Sequence, residues 1–371
     1  MTDITDILVI GGGMAGISAG ARLAEGAGVT VLEAEDSIGH HSTGRSAAMF
    51  LRNYGNRTLR ALNAASALVF DAPGEIADGP LLSARGELLI ATEDGLDAME
   101  AYLDGAEGMS RLSAAEALEH VPILRAEGIA GAAYEPDAQD IDVDRMLQGF
   151  RRLLTAQGGK VVTRARVEAI RCVDGCWEVE TGAGCWRAQV LVNAAGAWAD
   201  GIAEMAGVTR VGLVPMRRSA AILPAPEGHD VTRWPLFGDF AETWYARPDA
   251  GRLMVSPADE DPVEPHDVFA DDMVLAEGLH RFEQAVTVPV TRVGQNWAGL
   301  RTFAPDRTPV VGFAPDAPGF FWLAGQGGYG IQTAPALARL AADLVVGYDP
   351  ALSADVVASL SPARFSDPER T

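Results

Sequence analysis

A chain of 371 residues, 48% of them hydrophobic, is globular in composition and long enough for two domains or one large discontinuous assembly. Its formal net charge of −22 argues against nucleic acid and anionic membrane surfaces as partners, because both demand a basic footprint. No apolar run approaches the ~20 residues of a membrane span, and the acidic start MTDITD has no signal-peptide basic region, so a cytoplasmic protein without a transmembrane segment is expected.

In chain order, the apolar run Ile7 to Ile10 leads into Gly11, Gly13 and Gly16 in the pattern G-x-G-x-x-G, followed by small and apolar residues at helical spacing. The first glycine allows a tight turn, the second lets a pyrophosphate approach the backbone, and the third lets the helix pack on the strand. The first helical turn, with Met14 and Ala15, then faces the phosphates. A second apolar strand, Val29 to Leu32, ends in Glu33, roughly 20 residues past the central glycine, where an acid accepts the hydroxyls of a ribose. The pattern predicts a dinucleotide site and leaves NAD and FAD open.

Next comes the small polar loop HHSTGRSAA and then the helical pattern TLRALNAASALVFDA. LLSARGELLI reads as one strand, and the acidic stretches EDGLDAMEAYLDGAE and SAAEALEHV read as exposed helices. DVDRMLQGFRRLLTAQGG is an amphipathic helix with a glycine stop. KVVTRARVEAIRC, CWEVETGAG and CWRAQVLVNAAG read as three strands of an antiparallel meander joined by VDG and GAG turns. RRSAAILPA, TWYARPDAGRLMVSPA and WAGLRTFAPD suit a second sheet, and FFWLAGQGGYGIQTAPALARLAADLVVG is a strand, a glycine-rich turn and a long terminal helix. Cys172, Cys176 and Cys185 have no C-x-x-C spacing and no nearby histidine, so they read as reduced structural thiols, and no metal site is expected.

Three stretches together carry a family likeness: VIGGGMAG with Glu33, HSTGRSAA followed by NYG, and WAGLRTFAPD with GQGGYGIQT. The chain resembles the FAD-dependent D-amino-acid oxidase and glycine oxidase superfamily, most closely its bacterial D-arginine (D-amino acid) dehydrogenase branch. The resemblance implies an α/β fold. A Rossmann-like FAD-binding domain, a parallel sheet plus a three-stranded antiparallel meander, would comprise residues 1–80, 142–214 and 304–371. An α+β substrate domain on a mostly antiparallel sheet would comprise 81–141 and 215–303.

It also implies non-covalent FAD beside Ala34 and under the loop His41, Ser42, Thr43, Gly44, Arg45, Ser46, Ala47 and Ala48. Val167, Ala195, Gly196 and Trp198 would adjoin the cofactor, and so would the turn Gly327, Gly328, Tyr329, Gly330, Ile331 and Gln332. A helix N-terminus there favours an anionic reduced ring.

For the substrate, the resemblance implies that Arg301 is the main carboxylate partner. A guanidinium fork suits that task. Arg218, Tyr54 and Tyr245 would stand beside it, with Gly328 and Gln332 on the same side of the turn. Glu87 would face a distal cation. Met49 stands where the resembled dehydrogenases carry a histidine. The implied reaction is hydride transfer from Cα to flavin N5, giving an imino acid and then a 2-oxo acid and ammonia. Lys160, the single lysine, lies far along the chain from the clamp, so a quinone-like electron acceptor is expected over oxygen. The alternatives are a glycine or sarcosine-type secondary-amine oxidase and a flavin-binding subunit that needs a partner chain.

Overall fold

The computed structural model describes residues 2–365. Its first layer is a six-stranded sheet in the order Lys160–Val162, Val29–Leu32, Ile7–Ile10, Val190–Asn193, Phe320–Ala324 and Val310–Phe313. Every pairing is parallel except the last. Central parallel strands are covered on both faces and therefore read as unbroken apolar runs. Ile7 and Val9 face the helices Met14–Leu23, Val143–Ala156 and Gly330–Val346. Leu8 and Ile10 face the opposite core with Trp177, Trp186 and Trp322.

That opposite layer is a four-stranded sheet, Thr2–Ile4, Gly184–Ala188, Cys176–Thr181 and Val167–Val173. The expected meander is there, with an added parallel edge strand, Thr2–Ile4. Two of the strands read as continuous each divide between sheets. KVVTRARVEAIRC breaks around Arg164, whose φ is 56°, and CWRAQVLVNAAG breaks at Gln189. Cys172 and Cys185 are exposed and Cys176 half-buried, all three free.

A nine-stranded, mostly antiparallel sheet is built from Glu87–Ala91, Ser110–Leu112, Gly131–Glu135 and six strands between residues 214 and 303. Leu275, Leu279 and Phe282 of the helix Asp272–Ala285 seal one of its faces. LLSARGELLI is also two strands, not one. Leu82–Ala84 joins a small sheet with Met49–Phe50 and Gln139–Ile141, whereas Glu87–Ala91 enters the large sheet. The break is Gly86, whose φ of 81° and close approach to the Tyr134 ring, 2.4 Å from its oxygen to a hypothetical Cβ, suit only glycine. Three more helices stand where the sequence puts them, Arg57–Asp71, Leu96–Leu103 and Ala114–His120, the last with a Ser113–Glu116 capping box, while Ala199–Met205 and Ala354–Leu360 were not read from the sequence.

Candidate active site

The glycine turn divides its tasks among three residues. A Cβ on Gly11 would lie 2.3 Å from the Ala194 oxygen, and one on Gly16 1.9 Å from the Gly11 oxygen, so both permit backbone packing. A Cβ on Gly13 would meet only the Thr43 hydroxyl, at 3.4 Å, because Gly13 borders open space. That space is a cavity of about 490 Å³. Gly11, Gly13, Met14 and Ala15 line it at the helix start, Glu33, Ala34 and Val167 at one end, and Arg218, Tyr245 and Arg301 at the other.

Glu33 is 8% exposed. Its two oxygens accept the Gly12 and Glu35 N–H groups, each at 2.8 Å, so the carboxylate is fixed at the strand end. The helix Met14–Leu23 has no side-chain cap at its N-cap Gly13, and its Met14 N–H donates to the Thr43 hydroxyl at 3.0 Å. The helix Gly330–Val346 also begins without a side-chain cap. Two helix starts whose N-cap residues supply no capping side chain border one elongated cavity, an arrangement suited to the charged and polar parts of a dinucleotide. These residues fit FAD.

The loop between them is anchored by its own side chains. Ser42 donates to the Leu300 carbonyl at 2.7 Å. Arg45 donates to the carbonyls of Val268 and Ala298 at 3.0 and 3.1 Å and pairs with Asp267. The Ser42 hydroxyl and Arg45 guanidinium therefore tie the loop to the second sheet, a task the sequence reading did not foresee. Ser46, Ala47, Ala195, Gly196, Trp198, Gly327, Gly328, Gly330 and Ile331 also line the cavity.

His41 borders the cavity too, bonded to Glu35 at 3.1 Å and set against the Trp198 ring. Among the described residues, Glu35, His40 and His41 bring ligand atoms within 4.8 Å of one another. Glu35 already pairs there with Arg166 and His41.

A second chamber of about 110 Å³ shares Ser46, Ala47, Arg218, Tyr245, Arg301, Gly328 and Ile331 with the first. Arg301 lies deep in the protein, yet it keeps accessible surface because that surface faces the cavities. Among the described residues, its one side-chain hydrogen bond is to Tyr54 Oη at 3.5 Å. A Cβ on Gly328 would lie 2.9 Å from this guanidinium, so the glycine leaves Arg301 its room. Arg218 is 8% exposed. It pairs with Glu260 through Nη2 at 2.9 Å, while its buried Nε has no hydrogen-bond partner among the described residues. The adjacent Arg217 bonds instead to Asp259 and Asp261.

Burial acts to raise the Tyr245 phenol, but the two guanidiniums outweigh it and hold it below the usual tyrosine range. Burial of Tyr54 prevails over Arg301 and pushes that phenol up. For Arg301, burial opposes the charge and is outweighed by Tyr54, Tyr245 and Glu242, so its pKa rises further.

The far wall of the chamber is acidic and aromatic. Glu87 is 4% exposed, accepts a hydrogen bond from Tyr102 at 3.3 Å, and is pushed up to about 8 by burial and then by the Glu135 carboxylate. Asp239, Phe240 and Glu242 stand with it, and Met49, Leu51 and Leu236 supply apolar surface. The segment 236–242 escaped the sequence reading. It has no motif, and the clearest anomaly, Glu242 at φ 51°, is invisible in a string of letters.

Five of the predicted cofactor residues do not border the large cavity. Gly44 bonds to the Gly39 carbonyl at 2.8 Å, Ala48 and Gln332 line the smaller chamber, and Tyr329 packs on Tyr54 with ring centres 4.8 Å apart. The Gln332 amide is engaged on both sides. Its oxygen accepts the Leu51 N–H and its nitrogen donates to Asn63, each at 3.0 Å. Gly16 lies behind the turn against Gly11.

A Rossmann-like sheet whose glycine turn opens on a long cavity, with a small chamber at the inner end, defines a dinucleotide-dependent enzyme. The chain belongs to the DAO family of FAD dependent oxidoreductases, whose profile matches residues 6–344, and FAD is its cofactor. It is 27% identical to the FAD-dependent oxidoreductase domain-containing protein 1 of Bos taurus, over 92% of this chain and 81% of that one. It is 26% identical to the glycine oxidase of Geobacillus kaustophilus, over 93% and 94% of the two chains. The solved structure of L-proline dehydrogenase from P. horikoshii shares the fold, with a TM-score of 0.85 at 22% identity and 99% coverage of both chains. No helix among the described residues is long and apolar enough to cross a membrane.

Proposed function

We propose that the enzyme oxidises an amino acid with an extended, preferably cationic, side chain to the imino acid, which water hydrolyses to a 2-oxo acid and ammonia. The observation that carries this reading is the chamber itself. Two arginines stand at its junction with the large cavity, and a buried carboxyl and two further acids stand on its far wall. Bound FAD supplies the two-electron oxidising chemistry.

Arg301, free of any carboxylate partner among the described residues, takes the substrate carboxylate. Arg218 contributes its unpartnered Nε, since a buried donor without an acceptor is costly unless a ligand satisfies it. Tyr54 and Tyr245 close the clamp, and Met49, Leu51 and Leu236 keep water from the reacting carbon. Glu87, with Glu242 and Asp239 beside it, receives the distal cation. The D configuration rests on the likeness of the sequence motifs to D-amino acid dehydrogenases, and a quinone-like acceptor fits a chain whose single lysine, Lys160, borders neither cavity.

A glycine or sarcosine-type oxidase is the second reading, favoured by the full-length similarity to a glycine oxidase. It would leave the far wall without a purpose. Anaerobic bleaching of the flavin by a panel of D- and L-amino acids, glycine and sarcosine, followed by air, decides between them. Fast bleaching by D-arginine and D-lysine with slow recovery in air is expected. Glycine or sarcosine reacting faster would establish the second reading, and no bleaching at all would point to a subunit that needs a partner chain.

A further inference from the structure

Glu87 and Glu135 lie directly opposite one another in the antiparallel pair Glu87–Ala91 and Gly131–Glu135. They are 4% and 1% exposed, and among the described residues neither forms an ion pair with an arginine. Directly opposed side chains start from Cβ atoms about 5 Å apart. Two carboxylates mounted on such a pair, out of water, disfavour ionising together.

The surroundings decide which one keeps the proton. Burial raises Glu135 above the usual carboxylate range, with Asp137 adding to it, but the loop before the helix Arg57–Asp71 works the other way: one oxygen accepts the Arg52 N–H at 3.1 Å and the other accepts Asn53 Nδ2 at 2.8 Å. Both bonds favour the carboxylate. Glu87 has only the Tyr102 hydroxyl, from the helix Leu96–Leu103, at 3.3 Å. Glu242 and Asp239 add negative charge from the next strand and turn. Arg218, Arg301, Tyr54 and Tyr245 belong to the opposite wall, and Arg52 acts on Glu135.

We propose that Glu135 keeps Glu87 protonated in the empty chamber, so that the far wall accepts neutral side chains as it stands and releases one proton to bind a cationic one. Glu135 acts through Glu87 and is a positioning residue, with no contact to substrate. A protonated Glu87 presents a hydroxyl donor and a carbonyl acceptor to a neutral side chain. When an ammonium or guanidinium arrives, the Glu87 proton leaves to solvent and the new cation balances the second carboxylate.

The inference rests on the amino-acid reading above, so its test separates the two. The ratio of kcat/KM for D-arginine to that for D-norleucine is measured from about pH 6 to about pH 10, with ionisation of the shared α-amine largely cancelling. The wild-type ratio should rise about tenfold per pH unit and level off near pH 8. Glu135→Gln should move that bend down by about one unit, improving D-arginine several-fold at neutral pH while altering D-norleucine less than about threefold. Glu87→Gln should flatten the ratio. A flat wild-type ratio with both substrates turning over, or a bend unmoved by Glu135→Gln, would overturn the proposal.

The infrared carbonyl stretch of a protonated carboxyl in the FAD-loaded protein needs no substrate and no folded Glu135 variant. A band present at pH 6, fading near pH 8 and missing from Glu87→Gln supports the proposal even if neither amino acid is oxidised. Its absence from the wild type at pH 6 overturns the proposal.

Discussion

Between Arg217 and Arg218 the strand turns one guanidinium toward Asp259 and Asp261 and the next toward the cavities. Alternation of faces along a strand makes two identical letters differ in role. Arg217→Leu should lower stability with little selective effect on substrate affinity, whereas Arg301→Leu should lower kcat/KM by about 2–5 kcal/mol with the flavin spectrum retained. Steady-state kinetics on FAD-loaded protein checks both, and Arg301→Leu activity within a few-fold of wild type would remove Arg301 from the clamp.

Glu87 carries a pH signature of its own. Its folded value near 8 lies above the ordinary 4.5, so the folded protein holds a proton that the unfolded chain has released. Stability from this residue is full below the unfolded value and is lost as pH rises through the folded one. Calorimetric melting between about pH 5 and about pH 8.5 should therefore fall more steeply for wild type than for Glu87→Gln. Parallel curves would contradict a raised Glu87.

At the scale of elements, the glycine turn makes a separable prediction. Gly13 has φ −76° and ψ −176°, open to any residue, so Gly13→Ala should leave the apoprotein melt nearly unchanged and weaken FAD by at least about tenfold. Gly16→Ala, which would drive a Cβ to 1.9 Å from the Gly11 oxygen, should instead cost about 1–3 kcal/mol of fold stability. Flavin fluorescence titration and apoprotein melting distinguish the two. Gln332→Leu removes partners from Leu51 and Asn63, and the unsatisfied buried groups should cost about 1–3 kcal/mol and raise KM through the loop that holds Tyr54.

The turn, Glu33 and the uncapped terminal helix were legible because each is a short local pattern tied to backbone geometry. Three strand assignments ran together because hydrophobic alternation continues smoothly across Gly86, Arg164 and Gln189 while the chain changes sheets. Tertiary pairing, with no local signature, decides such breaks. The far wall was legible only at Glu87, since Tyr102, Glu135, and Asp239 with Glu242 come from three separate segments and meet only in the folded chain.

For the whole molecule, the large cavity draws its lining from Ile10 to Ile331, so no contiguous part of the sequence owns it. The charge of −22 is distributed over a surface laced with arginine–carboxylate pairs. Such exposed pairs contribute little individually. What joins the sheets instead is the partly buried anchoring of the Ser42–Arg45 loop and the small sheet of Met49–Phe50, Gln139–Ile141 and Leu82–Ala84. Asp140 there forms ion pairs with Arg85 at 2.6 Å and Arg247 at 3.1 Å.

The strand Val190–Asn193 lies between Ile7–Ile10 and Phe320–Ala324, and this order has a consequence on the ribosome. Its second neighbour is translated more than a hundred residues later, a delay on the order of ten seconds at ordinary elongation rates. Through that interval the nascent chain exposes an apolar, unpaired strand edge, the kind that recruits chaperones or aggregates. Stalled chains ending before residue 310 should be protease-sensitive and unable to retain FAD. Chains that have cleared the exit tunnel with residues 310–346 outside should become resistant together with flavin capture.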